Sequence, residues 1–242
     1  MKLRLDKLLL ERGLAPTRTR AQERISAGHV SIDGTIVTKA GFLVDPNQHI
    51  ELQGEALPYV SRGGLKLAAA LDHWKIDLTG RICLDIGAST GGFADCMLQR
   101  GAAQVIGVDS GHGQLAASLR QNPHLLLLER TNARHLTSSL LPGGITFFSM
   151  DVSFIAASLV LPAVIAALPS LCEAVILVKP QFEAGREAVG KQGIVKSPAA
   201  HRRAVERVRE TVCLHGAQST DTIESPIAGG DGNREFLLYA RF

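Results

Sequence analysis

Nowhere does the chain hold an apolar run approaching the roughly 20 residues that a membrane-spanning helix needs, although 45% of its 242 residues are hydrophobic. Its first residues, Met1-Lys2-Leu3-Arg4-Leu5-Asp6-Lys7, are charged where a secretory signal would turn apolar. Both absences lead to the expectation of a cytoplasmic protein that makes no membrane contact. Cysteine is scarce as well. Cys83, Cys96, Cys172 and Cys213 are isolated, mostly within apolar stretches, with neither a CxxC pair nor a histidine at ligand spacing. This excludes a disulfide scaffold, predicts buried reduced thiols and gives no reason to expect a metal. No internal repeat or low-complexity segment is present.

Net charge is only +3, but residues 1 to 30 carry seven Lys/Arg against three acids. Such a local basic patch suits a phosphate backbone, whereas the alternative is a solvated helix face. Leu5, Leu8 and Leu9 recur with helical spacing before Gly13, and a second helix, capped by Thr17 and ended by Gly28, places Arg20 and Arg24 on one face with Ile25 inward. His29–Ile32 and Thr35–Thr38 alternate around Asp33-Gly34, a hairpin signal, and His49–Leu52 adds a strand. The runs Arg4-Leu5-Asp6-Lys7-Leu8-Leu9, Thr19-Arg20-Ala21-Gln22 and Ile25 to Gly34 resemble the αL-type RNA-binding domain of ribosomal protein S-four. That resemblance implies a small α+β domain over residues 1–55, binding RNA through Arg4, Lys7, Arg18, Arg20 and Arg24.

Residues 56–63 have the glycine and proline punctuation of a linker, in which Arg62 is a further candidate RNA contact. Ser61 is expected to cap a helix running to Trp74. From Gly80 onward, apolar strands at 82–86, 105–108, 125–128, 145–150 and 174–178 alternate with expected helical stretches. Two last strands, near 217–225 and 235–242, flank a loop from Pro226 to Asn233. The alternation predicts an α/β domain over residues 64–242 with a parallel, doubly wound sheet.

The strand at 82–86 leads into Asp85-Ile86-Gly87-Ala88-Ser89-Thr90-Gly91-Gly92-Phe93. Ser89 stands where a dinucleotide fingerprint needs its second glycine, and no Gly-Lys-Ser/Thr of a phosphate-binding loop follows. A nucleoside without a pyrophosphate suits this turn better. Asp109, closing the second strand, is placed to accept hydrogen bonds from ribose hydroxyls, and Asn132 can meet an adenine edge or act simply as a turn residue. Together these features resemble the S-adenosylmethionine site of Rossmann-like methyltransferases. The cofactor residues so implied are Asp85, Gly87, Ser89, Thr90, Gly91, Gly92, Phe93, Asp109 and Asn132.

Asp151 and Lys179 end the fourth and fifth strands, Glu235 begins the last, and Lys66 lies on the helix before the first. Their settings, Gly63-Gly64-Leu65-Lys66, Asp151-Val152-Ser153-Phe154, Lys179-Pro180-Gln181-Phe182-Glu183 and Gly232-Asn233-Arg234-Glu235, resemble the catalytic Lys-Asp-Lys-Glu tetrad of FtsJ-like RNA ribose 2′-O-methyltransferases. With the N-terminal module, and with Glu129 to Arg134, the whole chain resembles the TlyA family, which implies methylation of ribosomal RNA. Tyr59 stands where other members carry tryptophan.

A ribose hydroxyl is not ionised at neutral pH, so its proton must leave as the methyl bond forms. Lys179 is the candidate base. Lys66 would favour its neutral form, whereas Asp151 and Glu235 would favour an ammonium that only orients the nucleophile. Two other functions compete: a membrane-lytic protein, since the family also carries a haemolysin label, and a non-catalytic ribosome-binding factor. Because the chain stops at Phe242 directly after its last expected strand, the resemblance implies the shorter family type, acting on a cytidine of 23S RNA rather than on 16S RNA as well.

Overall fold

A computed structural model describes residues 2–15, 17–26, 28–52, 57–190, 193–229 and 232–242. Gln53, Gly54 and Glu55 at the end of the expected first domain, Ala56 of the expected linker, and Gly230 and Asp231 of the expected loop lie outside the described residues. The chain divides into two compact units, 1–57 and 58–242. Residues 58–63 group with the second unit. There Tyr59 is buried, and Val60 N–H donates to Asp95 Oδ2 at 2.7 Å.

In the first unit, α1 (Leu5–Glu11) turns Leu5, Leu8 and Leu9 into the core. Thr17 Oγ1 accepts Arg20 N–H at 3.2 Å at the start of α2 (Arg18–Ser26), and Ile25 is buried. Strands β2 (Val30–Ile32) and β3 (Thr35–Ile36) are joined by Asp33 and Gly34, both at positive φ, and β5 (Ile50–Leu52) pairs with the other edge of β2. The two-residue strands β1 (Leu3–Arg4) and β4 (Leu43–Val44), paired antiparallel, have no counterpart in the sequence reading. Two residues are too few to show a period of two.

The second unit is built on a seven-stranded sheet in the order β11-β12-β10-β9-β6-β7-β8. Strands β6 (Ile82–Ile86), β7 (Gln104–Val108), β8 (Leu125–Leu128), β9 (Ile145–Met150) and β10 (Glu173–Val178) are parallel. The last strand, β12 (Phe236–Arg241), runs antiparallel between β10 and β11 (Ser219–Glu224). Alternate residues serve the two faces. Leu84, Ile106, Phe148 and Ile176 pack with α5 (Leu161–Ala166) and α7 (Pro198–Leu214), whereas Cys83, Val105, Phe147 and Val175 pack with α3 (Gly63–Trp74) and α4 (Gly92–Gln99). Being covered on both sides explains why these strands read as unbroken apolar runs.

Three local expectations are corrected. No helix forms among the described residues between β7 and β8, where Gly111 and Gly113 weaken any helix, and only short 3-10 turns separate β8 from β9. The N-cap of α3 is Arg62, without a side-chain cap; Ser61 offers its carbonyl to Gly64 N–H at 3.1 Å. Of the four free cysteines, Cys83 and Cys96 are buried, but Cys172 and Cys213 are exposed. Burial pushes the two inner thiols up to about 12.

Candidate active site at the carboxyl edge of the sheet

The turns that follow β6, β7, β8 and β9 enclose a cleft of about 450 Å³, within the size range of small-ligand sites. Parallel strands bring their carboxyl ends to one edge, which is why residues distant in sequence meet there. Asp109 lines the cleft and is held by two backbone hydrogen bonds. Its Oδ2 accepts Ser89 N–H and its Oδ1 accepts Gly111 N–H, each at 2.7 Å. A carboxylate oxygen has a second lone pair, so two ribose hydroxyls can still be received. No Lys or Arg is among the described residues lining the cleft, which suits a nucleoside lacking phosphate.

Asn132 lines the same cleft and also caps a 3-10 turn, its Oδ1 accepting Arg134 N–H at 3.1 Å. Both readings of that residue therefore coexist in one side chain. Gly87 and Ser89 border the cleft, Ser89 at φ 47. A Cβ on Gly87 would collide with the Asp151 carbonyl, so glycine there lets the ends of β6 and β9 approach. Thr90 gives its carbonyl to Ala116 N–H at 3.1 Å. Gly91 caps α4, a Cβ on Gly92 would strike the Ser61 hydroxyl, and Phe93 is core. These last three residues shape the turn from behind.

Asp85 does not reach the cleft surface. It is wholly buried, accepts Ser149 Oγ–H at 3.0 Å, and burial pushes its carboxyl up to about 7, with Asp151 and Asp109 adding to the shift. Ser149, on the neighbouring strand, had no signal in the sequence beyond its place in an apolar run.

The four charged residues form two pairs. Lys66 on α3 donates to Glu235 Oε2 in a buried ion pair, and Lys179 Nζ lies 2.6 Å from Asp151 Oδ1. Burial raises the Glu235 carboxyl, while Lys66 and then Lys179 oppose that shift. The pairs thus feel one another, and Asp151 also lines the cleft. Glu235 reaches this position because β12 begins at the sheet edge where the parallel strands end. Asn233 anchors its approach: Oδ1 accepts Val195 N–H at 2.9 Å and Nδ2 donates to Gly193 O at 3.0 Å. No metal-ligating cluster occurs among the described residues.

In the first unit, Arg4, Lys7 and Arg18 are exposed, while Arg20 and Arg24 are half-buried. Arg4 and Arg18 are not simply surface charges. Both donate to the buried Asp6 carboxylate, at 3.0 and 2.9 Å, with Gln22 adding a bond of 2.8 Å. The Arg4 hydrogen bond leads in holding Asp6 well below the usual carboxylate range. Arg62, in the second unit, is exposed.

The FtsJ-like methyltransferase family model matches residues 59–242, and the S4 domain model matches residues 3–50. The 16S/23S rRNA (cytidine-2′-O)-methyltransferase TlyA of Mycobacterium tuberculosis is 42% identical over 239 residues, covering 98% of this chain and 89% of that protein. The 23S rRNA (cytidine-2′-O)-methyltransferase TlyA of Campylobacter jejuni is 35% identical over 75% of this chain and 70% of its own length. A solved structure from Streptococcus thermophilus, provisionally described as a hemolysin, is 42% identical with a TM-score of 0.77, covering 99% of this chain and 88% of that one.

Proposed function

The chain belongs to the FtsJ-like methyltransferase family, and from that premise we propose that it methylates the ribose 2′-hydroxyl of a cytidine in 23S ribosomal RNA with S-adenosylmethionine. The observation that carries this reading is the pairing of Lys66 with Glu235 and of Lys179 with Asp151 beside the cleft. The N-terminal match to the S4 domain supports an RNA substrate, and the two TlyA relatives have 23S cytidine in common.

The residues present fit the cofactor. Asp109 would receive the ribose hydroxyls, the backbone at Gly87 and Ser89 would border the nucleoside, and Asn132 would meet the base. S-adenosylmethionine supplies an electrophilic methyl group when bound. The protein's part is to hold the O2′ nucleophile and deal with its proton. Lys179, fixed by Asp151, faces that task, and the Lys66–Glu235 pair supplies a charged wall that keeps the region polar without a loose counter-ion.

The test is methyl transfer by the purified protein to separated ribosomal subunits, with ribose methylation mapped by reverse-transcription stops. A cofactor-dependent stop at a 23S cytidine is expected. Transfer to a base nitrogen, or none with either subunit, refutes the reading, and a 16S stop would widen the target. Membrane lysis gains no support from the fold, since no helix among the described residues is long and apolar enough to cross a membrane.

A further inference from the structure

We propose that Ser153 is a positioning residue that aims the Lys179 amine at the nucleophile, an inference that rests on the methyl-transfer reading above. Lys179 Nζ donates to Ser153 Oγ at 2.8 Å and lies 2.6 Å from Asp151 Oδ1. Both partners belong to the tripeptide Asp151-Val152-Ser153, and both residues line the cleft. The lysine is therefore gripped from the cleft side by two groups whose spacing the backbone sets.

A lysine nitrogen has four tetrahedral directions, one taken by its own carbon. Ser153 takes one of the other three as the directional bond, while Asp151 Oδ1, which makes no hydrogen bond, attracts the amine by charge alone. The directions left can carry an N–H able to donate to O2′ or, in the neutral amine, the lone pair able to take the O2′ proton. Either way, the Ser153 bond sets the orientation of what faces the ribose. With Asp151 alone, the amine can turn about its Cε–Nζ bond and the aimed fraction falls.

The loop is built to hold Ser153 still. Asp151 N–H donates to Ile86 O at 2.8 Å, and beyond the serine both Ser158 N–H and Oγ–H donate to the buried Glu183, at 3.1 and 2.8 Å. Glu183 closes α6 (Pro180–Glu183), the helix that starts directly after Lys179, so this bond ties the two loops that carry the amine and its partners. Phe154 is held at φ 64, a costly region for an aromatic residue, so the surrounding structure dictates the path.

The experiment compares wild type, Ser153→Ala and Ser153→Thr in the full chain. Loss of a hydrogen bond to a charged group predicts a kcat roughly ten- to a hundredfold lower in Ser153→Ala. The RNA KM and the calorimetric affinity for S-adenosylmethionine should barely change. The kcat–pH profile should be displaced, because the hydroxyl interacts differently with charged and neutral amine. Ser153→Thr, which keeps the hydroxyl, should recover most of the rate. A wild-type kcat and profile in Ser153→Ala overturns the inference alone, whereas a wild-type protein that makes no ribose methyl overturns the methyl-transfer reading and this with it. Nitrogen-15 NMR of the lysine side chains adds a readout that needs no turnover. The Lys179 signal should show solvent exchange that speeds up in Ser153→Ala, and an unchanged signal counts against the proposal.

Discussion

Lys66 and Glu235, 169 positions apart, meet in an ion pair whose side chains are only 10% and 3% exposed. Removing one partner leaves the other as a buried, uncompensated charge. Lys66→Ala should destabilise the second unit by about 3–5 kcal/mol, and Lys66→Met with Glu235→Gln together by much less. Chemical denaturation of the three proteins checks this. Equal losses in the single and double variants would show that the two charges do not act as a pair.

Lys179→Ala should abolish methyl transfer while leaving affinity for S-adenosylmethionine nearly intact, since the side chain works on the nucleophile. Calorimetry and single-turnover assays separate the two effects. Near-normal turnover would remove Lys179 from the chemistry.

Asp109→Ala should have the opposite signature. Two carboxylate hydrogen bonds to the cofactor ribose would be lost, and each is worth about 1.5–3 kcal/mol. The dissociation constant should therefore rise at least tenfold, and kcat at saturating cofactor should fall less. Unchanged cofactor binding would place the nucleoside elsewhere.

The Asp85 carboxyl, pushed by burial up to about 7, sets a pH dependence of stability. An unfolded aspartate releases its proton near pH 4, at about 3.9. The folded state thus holds the extra proton between about pH 4 and about 7, and stability falls as pH rises through that window. Asp85→Asn should flatten the dependence, with a melting temperature above wild type at pH 8 and close to it at pH 4. A parallel pair of Tm–pH curves would refute the assignment.

On the N-terminal unit, the arginines that hold Asp6 must be told apart from charges that only face solvent. Lys7→Ala should lower RNA affinity and reduce the salt slope by about one, without shifting Tm. Arg18→Ala should cost stability as well as affinity, because it strips a partner from a buried carboxylate. Filter binding across a salt series with parallel melting curves distinguishes them, and full affinity in both variants would move the RNA face elsewhere.

The sequence by itself determined the elements whose signal is local. The five parallel strands are apolar runs between turn residues, and Asp33-Gly34 is a tight hairpin because those two positions accept positive φ. The charged tetrad was legible as residue types in characteristic settings, with Asp151, Lys179 and Glu235 at strand ends. Tertiary structure decided how they pair. The insertion of β12 between β10 and β11 brings Glu235 to Lys66, and nothing near Glu235 in the chain encodes that strand's neighbours. Likewise the strand pattern showed Asp85 near the end of an apolar strand, but its hydrogen-bond partner, Ser149 of β9, is supplied only by the sheet pairing. Ser153 as an acceptor for Lys179, and Glu183 as the tie behind it, emerge only when two loops from different strands meet. Local pattern specifies which face of an element seeks the core, whereas partners separated by many residues are chosen by packing, where burial, charge pairing and hydrogen bonding must all be satisfied together.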